Sequence, residues 1–135
     1  MYLLDTNVIS ELRRRRPHQA VIQWVRGVPD RELHLAAMTI GELQAGVEIT
    51  RPQNPDKAAE IESWLDKVVQ TWNILPMDAA VMRSAARLMH GKPDDLYEDA
   101  IIAAVAVVHR LTVVTRNLRD FVPFGVKTLN PFAAP

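Results

Sequence analysis

A chain of 135 residues is long enough to bury a sizeable core and too short for two ordinary domains, so a single domain over residues 1–135 is expected. Sixteen basic and sixteen acidic residues cancel to zero formal charge, which excludes a globally basic surface and leaves only local clusters to meet nucleic acid. The lack of cysteine excludes thiolate nucleophiles, thiolate zinc sites and disulfides. The longest apolar run, Ala100 to Val108, is half a membrane span, and no basic region leads into an apolar one at the N-terminus, so a soluble, cytoplasmic protein without membrane contact is expected.

Taken in chain order, Tyr2-Leu3-Leu4 reads as a strand that ends in Asp5, and Thr6 and Asn7 are suited to opening a helix at Val8. Asp5 therefore either caps that helix or stands where open α/β sheets bind ligands, beyond the carboxyl ends of the strands. The helix runs to Arg13 and meets four consecutive arginines, Arg13, Arg14, Arg15 and Arg16, stopped by Pro17. These are solvated cations complementing a helix dipole, or a patch that contacts phosphates. His18 to Arg26 reads as a second helix, closed by Gly27 and Pro29-Asp30, and Leu33 to Ala37 as a second strand.

Thr39-Ile40-Gly41-Glu42 has the form of a capping box opening a helix to about Thr50; Glu42 caps it or joins Asp5 over the strand ends. After the loop Arg51 to Asp56, a long helix to about Trp72 carries Ala58, Ile61, Leu65, Val68 and Trp72 on one stripe, a core face or a groove for a partner helix. Asn73 to Pro76 is a short strand, and Asp78 caps a helix from Ala79 to His90. Two helices this apolar form one domain's outer layer or the contact of a homodimer. Gly91-Lys92-Pro93 breaks the chain, and Asp95 with Glu98 makes a cap pairing before the helix Leu96 to Arg110. That helix is apolar on every side from Ala100 to Val108, which puts Asp99 at the edge of the core, where an acid costs free energy unless paired, capped or bound to a cation. Thr112 to Thr115 is a strand, Asn117 to Phe121 a turn and Val126 to Leu129 the last strand. Strands alternating with helices give an α/β fold with parallel strands and right-handed crossovers.

Asp5, Glu42, Asp99 and Asp120 all follow strands or open helices at corresponding places, so parallel strands bring them to one end of the sheet. Carboxylates that close cannot all stay ionised without a compensating cation. His18, His34, His90 and His109 are scattered, and oxygen ligands without cysteine point to Mg²⁺ or Mn²⁺ as cofactor. Such ions position water against a phosphodiester, so hydrolysis is the natural reaction. Thr115 and Asn117 add neutral hydrogen-bonding groups beside the acids. No Gly-rich phosphate loop occurs, and Ser10, Ser63 and Ser84 lie outside any nucleophile elbow.

The segments Tyr2-Leu3-Leu4-Asp5-Thr6-Asn7, Thr39-Ile40-Gly41-Glu42-Leu43, Glu98-Asp99-Ala100-Ile101-Ile102-Ala103-Ala104, Thr115-Arg116-Asn117-Leu118-Arg119-Asp120-Phe121 and Leu129-Asn130-Pro131, in this order and spacing, resemble the PIN-domain family, specifically its VapC- and FitB-like toxins. The resemblance implies a three-layer α/β/α fold around a parallel sheet of about five strands. It implies an Mg²⁺- or Mn²⁺-dependent endoribonuclease toxin of a type II toxin-antitoxin system acting on RNA. It carries over Asp5, Glu42, Asp99 and Asp120 as catalytic and metal-holding acids, with Thr6, Asn7, Thr115 and Asn117 in support; Asp94, Asp95 and Glu98 read as caps. It further implies a homodimer, a small cognate antitoxin, and operator DNA met only through that antitoxin. The alternative is a weakly active or inactive subunit that chiefly dimerises and joins the antitoxin on DNA.

Overall fold

A computed structural model describes residues 1–133. The β-branched and leucine-rich segments form β1 (Tyr2–Leu4), β2 (Leu33–Ala36), β3 (Asn73–Leu75), β4 (Thr112–Val114) and β5 (Thr128–Leu129). They pair in one sheet of order β3-β2-β1-β4-β5, parallel throughout. The connecting segments form α1 (Thr6–Glu11), α2 (Gln19–Arg26), α3 (Ala37–Thr50), α4 (Pro55–Thr71), α5 (Ala79–Met89) and α6 (Tyr97–His109).

The side-chain period of two along each strand divides the core. Leu3 and Val113 pack with Val81 and Ala85 of α5 and with the run Ala100 to Ala106 of α6. Leu4, Val114, Leu33 and Leu35 pack on the other side with Val8, Ile9, Val21, Leu43, Leu65 and Val68. Helices therefore cover both faces, as an all-parallel sheet requires, and the three-layer α/β/α expectation holds. The stripe on α4 buries Ala58, Leu65 and Val68 and the apolar face of α5 buries Val81 and Ala85, so both pack on the chain's own core.

Several boundaries differ from the sequence reading. The first helix begins at Thr6 rather than Val8, because Asp5 itself is the cap. Asp95 and Glu98 do not cap α6: a 3₁₀ turn over Asp94–Leu96 runs straight into it, with Leu96 and Tyr97 N–H groups bonded to Pro93 and Asp94 carbonyls, so no side-chain cap forms. The expected turn after Asn117 is a longer 3₁₀ segment, Leu118–Phe124, and the last strand shortens to Thr128–Leu129. Among the described residues no helix is long and apolar enough to cross a membrane.

What matters for the site is strand order. From β1 the chain moves to β2 and β3 on one side, then returns through α5 and α6 to β4 and β5 on the other. The order switches between β1 and β4, and beyond their carboxyl ends such sheets open a crevice.

Candidate active site

Asp5 stands at that switch. Its backbone N–H donates to the Val114 carbonyl at 2.9 Å, which holds it against β4 one residue past the end of β1. Its Oδ1 accepts from the Thr6 N–H at 2.8 Å, and its Oδ2 accepts from the Thr115 hydroxyl at 2.8 Å and from Asn7 Nδ2 at 3.2 Å. Capping and site placement are thus one arrangement: one oxygen caps α1, and the other is aimed by the end of β4. Thr115 is fully buried, and its oxygen accepts from the Asn117 N–H at 3.0 Å and from Asn7 Nδ2 at 3.3 Å. With both acceptor positions used, its one proton is directed at Asp5. Asn117 thus contributes its backbone N–H, and Asn7 braces both ends, its amide oxygen accepting from the Arg116 N–H at 3.1 Å.

Glu42 is not part of a capping box. β2 passes into α3 without a loop, so Ala36 sits at the N-cap and the helix starts two residues before Thr39. Glu42 lies too deep in the helix to reach back to a cap, and Thr39 is fully buried. The Thr6 hydroxyl instead donates to Glu42 Oε1 at 3.1 Å and lies 3.3 Å from Thr39 Oγ1. Having one proton, Thr6 then takes its second bond from the Thr39 hydroxyl. Thr39 is thereby a supporting residue that its sequence position disguised as a cap.

Asp99 occupies the first turn of α6, half-buried, and Asp120 lies exposed in the 3₁₀ segment after β4. The acids feel one another. Burial pushes Asp5 above the usual carboxylate range, outweighing its hydrogen bonds from Thr115 and Thr6, and the charge of Asp120 adds to the rise. Burial, then the charges of Glu98, Asp5 and Asp99, raise Glu42 to about 7 against the hydrogen bond from Thr6. Burial, then Asp5, Asp120 and Glu98, raise Asp99 to about 6. Among the described residues no arginine or lysine forms an ion pair with any of the four. Each of the four acids named from the sequence thus lies within electrostatic reach of at least one other.

An all-oxygen donor set with uncompensated negative charge fits a hard divalent cation. Among the described residues no three carboxylate or imidazole side chains converge as a ready-made cage. Mg²⁺ is commonly held by one or two carboxylates while it keeps several waters, so it does not require such a cage.

Asp120 also lines a cleft of about 610 Å³ together with Arg116, Asn117, Leu118 and Arg119. The four consecutive arginines lie exposed beyond α1, where Arg14 pairs at 3.3 Å with a buried Glu11. Glu11, unremarked in the sequence, was signalled by its position three residues after Val8, on the apolar face of the same helix.

The family described as PIN domain matches residues 2–122. The chain is 36% identical over 141 residues to the toxin FitB of Neisseria gonorrhoeae, covering 98% of this chain and 99% of that protein. It is 35% identical over 144 residues to the VapC ribonuclease Y4jK of Sinorhizobium fredii, covering 98% of each. Its fold superposes on the solved structure of FitAB bound to an IR36 DNA fragment with a TM-score of 0.86 at 31% identity, covering all of this chain and 98% of that one.

Proposed function

The chain belongs to the PIN-domain family, and from that premise we propose that it is a divalent-metal-dependent endoribonuclease, the toxin of a toxin-antitoxin pair. The observation that carries this reading is the placement of Asp5 at the β1/β4 switch, aimed by Thr115 and Asn7, among carboxylates raised chiefly by burial and, among the described residues, without an ion pair to balance them. Similarity over nearly the whole chain to a protein named as a ribonuclease supports RNA as the substrate.

Asp5, Asp99 and Asp120 would hold Mg²⁺ or Mn²⁺, with Glu42 completing the negative rim. The bound ion would supply a water made more acidic and charge for the phosphoryl oxygens. The chain's own residues do the arranging. Thr115 and Asn7 fix Oδ2 of Asp5 while the Thr6 N–H fixes Oδ1, so the carboxylate meets its load without reorganising. Glu42, raised by burial and its acidic neighbours and hydrogen-bonded to Thr6, is held in place at the rim and would ionise more readily beside a bound cation.

Likeness to FitB and to the DNA-bound FitAB structure supports a small antitoxin partner, with operator DNA reached through that partner. A homodimer and a cytoplasmic setting complete the proposal. The test is cleavage of a mixed RNA pool by antitoxin-free protein with Mg²⁺ or Mn²⁺, with chelator, and by Asp99→Asn protein prepared in parallel. Cleavage that needs both the metal and Asp99 is the expected result. Folded, metal-loaded protein that leaves every RNA intact would favour the binding-subunit alternative.

A further inference from the structure

The arginines beyond α1 are not a loose tail. Glu11, buried to 5% exposure, accepts from Arg14 Nη1 at 3.3 Å through one oxygen and from the His18 N–H at 3.0 Å through the other, closing the arginine turn on itself. Arg13, Arg15 and Arg16 are left exposed and, among the described residues, without an ion pair. Spending a buried carboxylate on one arginine of four makes a fixed turn that presents the other three.

The turn is joined to the acids by a stack. His18 caps α2 through Nδ1, which accepts from the Ala20 N–H at 3.3 Å, so a proton on the neutral ring sits on Nε2. Its ring meets Phe132 edge to face, with centroids 5.4 Å apart. Phe132 is set by its own N–H donating to Asn130 Oδ1 at 2.9 Å. The Arg116 guanidinium lies 3.8 Å from the Phe132 centroid, and the Arg116 N–H is the one bonded to Asn7 beside Asp5. Arg116 also lines the cleft that contains Asp120. Cation, aromatic ring, imidazole and arginine turn therefore follow one another outward from the acidic site.

We propose that this strip is the substrate track: an RNA strand leaving the acids passes over Arg116, seated over the Phe132 ring, and lays its phosphates toward Arg13, Arg15 and Arg16. The inference rests on the nuclease reading and adds to it a positioning residue, Arg116, that no ion pair explains. A guanidinium stacked on a ring keeps its N–H edge for a phosphate and its outer face for a base, the combination single-stranded RNA offers. The strip lies beside acids that would repel an acidic peptide as readily as the arginines attract it, whereas RNA has a use for both the cations and the metal site.

The experiment measures binding of a short, labelled, single-stranded RNA of mixed sequence to Asp99→Asn protein across a salt series, then repeats it with Arg116→Ala, Arg116→Lys and Arg15→Ala/Arg16→Ala added. Arg116→Ala should weaken binding about tenfold. It should also lower the salt slope by about 0.7, the value of one phosphate contact on single strands. Arg116→Lys should recover the slope but not the affinity, because charge returns without the stacked plane; the arginine-turn pair should lose about twice the slope. In protein with Asp99 intact, Arg116→Ala should raise KM and largely spare kcat. Unchanged affinity and slope in folded Arg116→Ala protein would overturn the track, as would loss of binding to a polyglutamate peptide with RNA binding intact. RNA binding that needs Arg116, with no cleavage by metal-loaded protein in which Asp99 is intact, would keep the track and remove the nuclease.

Discussion

Glu42 and Glu48 ride on the same helix in opposite electrostatic settings. Glu48 takes two bonds from Arg51, at 3.1 and 3.2 Å, and Arg51 reaches on to Glu62 of α4 at 3.0 Å, while Gln44 bonds both glutamates at 2.7 and 2.9 Å. Those hydrogen bonds hold Glu48 and Glu62 below the ordinary carboxylate range. Nearer the start of the helix, Glu42 is pushed up by burial and by the charges of Glu98, Asp5 and Asp99 against the hydrogen bond from Thr6. A perturbed acid is thus not by itself a sign of function; the direction of the shift, and whether the chain supplies the compensating cation, distinguishes a strut from a site.

The sharpest way to break that distinction is by activity. Asp99→Asn removes a charge from the uncompensated set and should cut metal-dependent cleavage by ~100-fold or more, above the range seen for residues that only orient a ligand. Glu48→Gln removes a charge from the compensated set and should leave cleavage as it was. Equal losses in the two variants, read as initial rates on one RNA, would erase the contrast.

Thr115→Val tests the same site one step out. Valine keeps the shape but cannot donate to Asp5 or accept from Asn117 and Asn7, so cleavage should fall about 10- to 100-fold with a higher metal requirement. Orphaning buried partners should also cost about 1–3 kcal/mol in denaturant unfolding. Undiminished metal affinity would mean that Asp5 needs no aiming.

How much of this was readable beforehand follows from range in sequence. The strand ending at Asp5, the buried helix behind Asp99 and the parallel arrangement are written in local periodicity, and the acids follow from topology once the strands are parallel. Glu42 shows what local reading cannot see. Thr39 and Glu42 fit a capping box at the correct spacing, but β2 runs into α3 without a loop, and the hydroxyl that bonds Glu42 belongs to Thr6. Arg116, Phe132 and His18 come together from three separated segments, so no window along the chain could have joined them.

Stability against pH sharpens the comparison next. Asp5, Glu42 and Asp99 have raised values, so between about pH 4.5 and 7 the fold holds protons that the unfolded chain has released. With more protons bound to the native state, stability falls as pH rises through that window, and the cost is complete above about 7. Metal-free protein should therefore melt lower at pH 8 than at pH 5.5. Asp99→Asn should recover about 1 kcal/mol at pH 8 after discounting for solvent screening, or about 4 °C in Tm. Mg²⁺ should raise Tm more at pH 8 than at pH 5.5, because it binds the ionised acids. A melting temperature that climbs from pH 5.5 to 8 without metal would contradict the raised values of these buried acids.

The compensated end predicts the reverse sign and the smallest effect. Glu48 and Glu62 are lowered, so what they contribute is present above the ordinary glutamate value of 4.5 and is lost as pH falls through their own lower values. Both belong to a solvent-facing network, where screening and side-chain entropy cancel most of the attraction. Arg51→Ala should therefore shift Tm by no more than about 2 °C at neutral pH and low salt, and the shift should vanish at high salt. It should leave the response of Tm to Mg²⁺ unchanged, since Arg51 balances charges that no metal needs to balance. A Mg²⁺ response that doubled on removal of Arg51 would show that the Glu48–Glu62 pair can itself recruit the ion, and that an internal cation is all that separates a strut on α3 from a site.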